Sequence, residues 1–153
     1  DDTYVYKGED SERAPQTVRT IDYIANITSI KASAMRGCDR ITSVIHPDSI
    51  ITIDDCAYYG CFSIIHLRLS SSLQTIGLCS FCWCRSITRL ELPPTLHTIE
   101  TRGFSGCTSL RSIVPQQQNE LLSLKTIEAE AFGDCDSLTS IPHFPMLETI
   151  GSD

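Results

Sequence analysis

The sequence predicts a right-handed α/β solenoid, with short parallel strands on a concave side and short helical or 3-10 turns on a convex side. Two observations carry this expectation. Ile30, Ile53, Ile76 and Ile99 recur every 23 residues, with Ile127 and Ile150 continuing the series after one longer step. Further columns keep the same register and take the same 28-residue step between the fourth and fifth units. Chance does not move independent columns together, so the repeat is the unit from which the chain is built.

The other columns name the parts of one coil. Ile27, Ile50, Leu73, Leu96, Leu124 and Leu147 precede the isoleucines by three residues. Met35, Tyr58, Phe81, Phe104 and Phe132 follow them by five, and Cys38, Cys61, Cys84, Cys107 and Cys135 by eight. Ile41, Ile64, Ile87, Leu110 and Leu138 come next, then Val44, Leu67, Leu90, Ile113 and Ile141. One such unit cannot enclose its own apolar face, whereas stacked units bury each column against its copy on the next rung.

Thr88-Arg89-Leu90-Glu91-Leu92 alternates polar and apolar and reads as a short strand that Pro93-Pro94 ends. Equivalent strands are expected at Ser43 to His46, His66 to Leu69, Arg111 to Val114 and Thr139 to Pro142, in parallel and about 4.8 Å apart. The Ala-Phe-x-x-Cys segment is too short for an isolated helix and reads as a single helical or 3-10 turn pinned by its aromatic.

The pattern Ala-Phe-x-x-Cys-x-x-Leu-x-x-Ile-x-Leu-Pro, repeated over roughly residues 17 to 150, resembles the BspA-like leucine-rich repeats. The resemblance implies a leucine-rich-repeat solenoid and a role as an adhesin or protein-interaction array, with no shared catalytic residue to carry over. Ser80 in place of Ala, Met35 in place of an aromatic and His46 in place of Leu depart from the family pattern without breaking the register.

Residues 1–16 lie outside the repeat and are expected to form an N-terminal extension or cap, with Tyr4-Val5-Tyr6 as a covering strand. Residues 17–153 form the solenoid, about five full rungs with partial rungs at both ends. The extra residues fall near 114–123, immediately after a strand, where an insertion emerges as a surface loop. The opening Asp1-Asp2-Thr3-Tyr4 has neither a basic nor an apolar stretch, and Leu147-Glu148-Thr149-Ile150 begins a further turn, so the sequence reads as a fragment of a longer chain.

The net charge of −7 and the lack of a Lys/Arg cluster argue against nucleic acid as a partner. No apolar run approaches the ~18 residues that span a bilayer. The expected partner is a protein, with the chain a monomer or part of a longer array and no cofactor.

The chain holds eight cysteines. Cys38, Cys61, Cys84, Cys107 and Cys135 form the ladder already described and are expected inside as small apolar thiols. Cys56 and Cys79 share a second column on neighbouring rungs, within disulfide reach. Cys82 adds a Cys-x-x-Cys half-site with Cys79, for which no second half-site is apparent. Packing, a disulfide, and metal or redox chemistry remain the alternatives for these three. An unpaired thiol ladder suits a reducing compartment and the family resemblance a cell surface, so the compartment stays open.

His46 and His143 share a column four rungs apart, about 19 Å at strand spacing, too far to share a metal. No nucleophile elbow, phosphate-cradling glycine loop or His-Glu-x-x-His occurs, and no enzyme is expected. Alternation along the strands sends Ser43, Ile45, His66, Arg68, Arg89, Glu91, Ser112, Val114, Ser140 and Pro142 outward, onto the expected concave binding face. A passive spacer in a longer cell-surface array is the alternative to binding.

Overall fold

A computed structural model describes residues 2–117 and 122–152 of the chain. In chain order the first strands are β1 (Thr3–Tyr6), β2 (Thr20–Tyr23), β3 (Ser29–Ile30), β4 (Ser43–Ile45), β5 (Thr52–Ile53) and β6 (His66–Arg68). They are followed by β7 (Thr75–Ile76), β8 (Arg89–Leu92), β9 (Thr98–Ile99), β10 (Ser112–Pro115), β11 (Thr126–Ile127) and β12 (Thr149–Ile150). Every pairing is parallel, so the chain is a β-solenoid of stacked coils.

The two-residue strands make a six-stranded sheet that the sequence reading did not anticipate, in the order β3-β5-β7-β9-β11-β12. Its register joins Ile30, Ile53, Ile76, Ile99, Ile127 and Ile150 in succession, so the insertion is absorbed elsewhere and the column stays aligned. The longer strands behave differently. They pair only as β1 with β2, β4 with β6 and β8 with β10, and among the described residues no ladder joins β2 to β4 or β6 to β8. The strand expected at Thr139 to Pro142 is reduced to a single bridge between Ser112 and Ser140.

The helical or 3-10 turns expected on the third side are absent among the described residues, where the segments are successive tight turns. In the second rung Ala57, Tyr59 and Cys61 donate to the carbonyls of Asp54, Cys56 and Tyr58, three residues back. The intervening amides of Cys56, Tyr58 and Gly60 point along the solenoid and donate to Leu78, Ser80 and Cys82 on the next rung, at 2.7–2.9 Å. A helix would turn every amide inward along its own axis and forfeit those inter-rung bonds. What prevents it is left-handed backbone at two columns: Ser33, Cys56, Cys79, Arg102 and Glu130 in one, and Gly37, Gly60, Trp83, Gly106 and Asp134 in the other, all with φ between +51° and +74°. Each non-glycine residue in that region costs about 1–2 kcal/mol. Three inter-rung bonds at roughly 0.5–1.5 kcal/mol each offset it.

Inside, Tyr58, Phe81, Phe104 and Phe132 stack with centroids 5.1, 5.0 and 5.6 Å apart and planes within 6° of parallel. The cysteine ladder lies beside them. The Sγ atoms of Cys61, Cys84, Cys107 and Cys135 donate to the carbonyls of Met35, Tyr58, Phe81 and Phe104 on the preceding rung, at 3.1–3.4 Å. The thiol therefore fills an apolar slot and adds a weak bond to the next coil. At the N-terminal end β1 pairs with β2 in the register Thr3 to Thr20, and Tyr6 is fully buried, its hydroxyl accepting from Lys31 N at 2.7 Å. Of the insertion, residues 118–121 lie outside the described residues, while Gln116 Nε2 donates to Leu69 O two rungs away at 2.8 Å.

Phe104→Ala removes the middle of the stack from a site with no exposed surface. It is expected to lower stability by about 3–5 kcal/mol, measured by urea denaturation, with Phe104→Leu losing clearly less.

Candidate functional site

The long strands alternate as expected as far as β10, but Ile141, in the column of Val44, Leu90 and Ile113, is 62% exposed instead of buried because only a single bridge forms there. Val44, Leu90, Leu92 and Ile113 are buried, while Ser43, Ile45, His66, Arg68, Arg89 and Ser140 are exposed and Glu91, Ser112, Val114 and Pro142 half-exposed. The ten outward residues therefore share one face. The structure gathers them into two groups. Ser43, Ile45, His66, Arg68, Arg89 and Glu91 line openings where the long-strand ladder is interrupted, whereas Ser112, Val114, Ser140 and Pro142 lie beyond them.

The opening between β2 and β4 has a volume of about 540 Å³ and is walled by Arg19–Tyr23, Thr42, Ser43, Ile45–Asp48 and Arg68. The one between β6 and β8 is about 400 Å³ and is walled by Ile45, Ile65–Arg68, Thr88, Arg89 and Glu91. The two share Ile45 and Arg68, so they adjoin across the β4–β6 pair. Ile45 is 58% and Ile65 50% exposed, large apolar side chains facing water beside His66, Arg68, Arg89 and Glu91. Arg89 Nε lies 3.0 Å from Glu91 Oε1 on its own strand, and Arg68 NH2 lies 3.7 Å from Asp48 Oδ1 on the preceding rung. Exposed pairs of this kind contribute at most about 1 kcal/mol, so a partner can take either charge at little cost. Sequence reasoning missed Arg19, Asp22, Asp48 and Ile65. Ile65 was the legible one, since Thr42, Thr88, Arg111 and Thr139 are the other members of its column.

One titratable group sits directly behind the first opening. His46 is 1% exposed, and its Nε2 lies 2.8 Å from the Tyr58 hydroxyl, which lies 3.0 Å from the Tyr23 hydroxyl. Its Nδ1 has no partner among the described residues. Burial drives its pKa down to about 3, so the imidazole is neutral and structural. It continues the aromatic run, 6.0 Å from Tyr23 and 5.5 Å from Tyr58. His143, by contrast, is exposed.

All eight cysteines are free thiols. Cys38, Cys61, Cys84 and Cys107 are buried, and Cys135 is half-buried. Burial pushes the thiols of Cys61 and Cys84 well up, and that of Cys38 to about 11, which keeps them protonated and unreactive. Cys56 and Cys79 stand at equivalent left-handed positions on adjacent rungs, both half-buried. Cys82 is buried beside Cys79, and burial raises its pKa to about 11. Among the described residues no group of three His, Cys, Asp or Glu side chains is placed to hold a metal ion. Asp54 and Asp55 act within the turns, Asp54 Oδ1 accepting from Thr52 Oγ1 and Asp55 Oδ1 from Leu78 N.

Parallel coils of this length, with a strand face and repeating apolar columns, define a leucine-rich-repeat solenoid. The BspA type leucine rich repeat region matches residues 15–123 and 117–153, and the chain belongs to that family. It is similar to the solved leucine-rich repeat protein of T. pallidum, with 26% identity and a TM-score of 0.75 over 92% of this chain and 63% of that one. A leucine-rich repeat protein from Bacteroides ovatus is also 26% identical, with a TM-score of 0.66 over 92% of this chain and 36% of that one. A leucine rich cell surface protein from Faecalibacterium prausnitzii shares the fold at 22% identity, with a TM-score of 0.67 over 92% of this chain and 31% of that one. The chain thus spans less than two thirds of the length of each of these relatives. No curated protein matches it. The repeat family is typical of protein-interaction modules, and among the described residues no helix is long and apolar enough to cross a membrane.

His46 gives a pH signature. Its folded pKa lies below its unfolded value of about 6.5, so the unfolded chain binds the proton first as pH falls. Stability is then expected to be intact above pH ~6.5 and to drop by up to about 1.4 kcal/mol per unit below it. Thermal unfolding between pH 7 and 4.5 checks this, with His46→Leu, matching Leu69 and Leu92 in its column, flattening that slope.

Proposed function

We propose that the chain is a non-enzymatic interaction module that grips a protein partner across its long-strand face, centred on β4, β6 and β8. The observation that carries this reading is the pair of adjoining openings that share Ile45 and Arg68, with exposed Ile45 in both and exposed Ile65 in the second beside Arg68, Arg89, Glu91 and His66. Exposed apolar side chains among charged ones suit a protein interface, whose apolar core lies within a polar rim. The interrupted ladder adds backbone donors and acceptors to the same face. The one imidazole behind it is turned inward onto Tyr58, which favours binding over acid–base chemistry. An adhesin-like role at a cell surface belongs to this proposal, supported by the shared fold of the F. prausnitzii cell surface protein.

The test compares quantitative pull-down by wild type and by an Ile45→Asp/Ile65→Asp variant. Both side chains are already exposed, so the variant is expected to unfold at the wild-type temperature. Loss of two apolar anchors should reduce partner recovery at least about tenfold. Equal recovery would move the site off this face.

A further inference from the structure

The turn side of the solenoid carries a second feature that the long-strand face does not use. Trp83 occupies the left-handed column otherwise filled by Gly37, Gly60, Gly106 and Asp134, at φ 64°. A bulky side chain there is strained and serves no purpose in the core, since Trp83 is half-exposed. Its ring lies on Gly106, where an added Cβ would fall 2.6 Å from Trp83 Cε3. The guanidinium of Arg85 stands 5.1 Å from the Trp83 ring and 5.2 Å from the ring of Phe62, itself 44% exposed. Two rungs before Arg85, Arg36 stands 4.9 Å over the ring of Tyr59 on the intervening rung. Arg13, Gln16, Arg36, Tyr59 and Phe62 enclose a shallow cavity of about 410 Å³.

In a chain of net charge −7, Arg36 and Arg85 make no ion pair among the described residues, although Asp39 lies three residues from Arg36. Both arginines are exposed, each with its guanidinium held over an aromatic ring. An exposed guanidinium without an acidic partner keeps donors that can bind a carboxylate through two parallel hydrogen bonds. We propose that this arginine–aromatic patch is a second docking surface, and that its partner is a protein segment bearing aspartate or glutamate side chains. Tyr59 lines this cavity and also a second one of about 270 Å³ that Trp83 shares with Arg102, Glu130 and Asp134, so tyrosine, tryptophan and arginine, the types enriched in interface hot spots, adjoin on this side. Two competing ligands fit less well. Arg85 lies over both Trp83 and Phe62, and Arg36 over Tyr59, so a nucleobase or sugar would have to displace a guanidinium from each ring. A dense polyanion would also meet the repulsion of the whole acidic chain, whereas a few carboxylates act locally.

Trp83 is the single tryptophan of the sequence, so its emission reports on this site alone. A capped hexaglutamate peptide is titrated into the whole chain while Trp83 emission is followed. Anisotropy of a fluorescein-labelled copy is measured in parallel. The expected result is a saturable change in both signals. Arg36→Gln/Arg85→Gln should weaken it at least about tenfold, and Arg111→Gln, an exposed charge elsewhere, should leave it unchanged. Circular dichroism at matched temperature confirms that the double variant is folded. The proposal is overturned if neither signal saturates, if the double variant binds as well as wild type, or if a sulfated glycan binds more tightly than the peptide. The readout does not pass through the long-strand face, so its failure leaves the first reading standing.

Discussion

The whole structure depends on hydrogen bonds and side-chain contacts made between one coil and the next. A single rung has almost no interior, and its apolar residues become buried only when a neighbour covers them. Three systems hold neighbours in register: the sheet of two-residue strands, the amides of the turn side, and the stack running from Tyr58 to Phe132. The first two fix spacing by backbone geometry, which any residue can supply. The third adds burial, because each aromatic removes a large apolar area from water and stacking adds roughly 0.5–1.5 kcal/mol per pair.

The turn side shows how this constraint overrides local preference. Ala-Phe-x-x-Cys has helical spacing, and taken alone a helical turn is its natural conformation. In the folded chain every second amide is needed by the next rung, and left-handed backbone at two positions per coil is the only way to point it there. Glycine fills the second position at three rungs at no steric cost. The first is filled by Ser33, Cys56, Cys79, Arg102 and Glu130, none of them residues that announce a positive φ. The strain is tolerated because each of those residues is fixed from both sides by bonded neighbours.

The columns of isoleucine, aromatic and cysteine were legible in the sequence because burial demands the same side chain at the same place on each rung. Register was legible for the same reason, and the outward face followed from strand alternation. The turn conformation was hidden because it is dictated by inter-rung bonding, which no single repeat displays. The second sheet was hidden because its strands are two residues long, below the length at which alternation can be seen. His46 was noticed as an exception to the Leu of its column, but its burial required knowing that the Tyr23 and Tyr58 hydroxyls meet nearby. Phe62 and Arg85 stand 23 residues apart, as do Arg36 and Tyr59, so each pair was legible as one column on adjacent rungs, whereas the seat of the guanidinium over the ring was not.

The interruptions of the long-strand ladder follow a related logic. At the opening between β6 and β8 the short-strand sheet, the turn-side amides and the aromatic stack all run through both flanking rungs, so coil spacing is already set there and the long strands are not required to pair. Leaving β2 and β4, or β6 and β8, unpaired costs only a few hydrogen bonds that water replaces, because these edges face solvent. The same omission on the turn side would bury unsatisfied amides against the aromatic stack and would not be tolerated. Freedom to open the ladder therefore belongs to one face of the coil, and that face also carries exposed Ile45 and Ile65. A solenoid can vary the surface it presents there from rung to rung, in charge, shape and exposed backbone, while its core repeats unchanged.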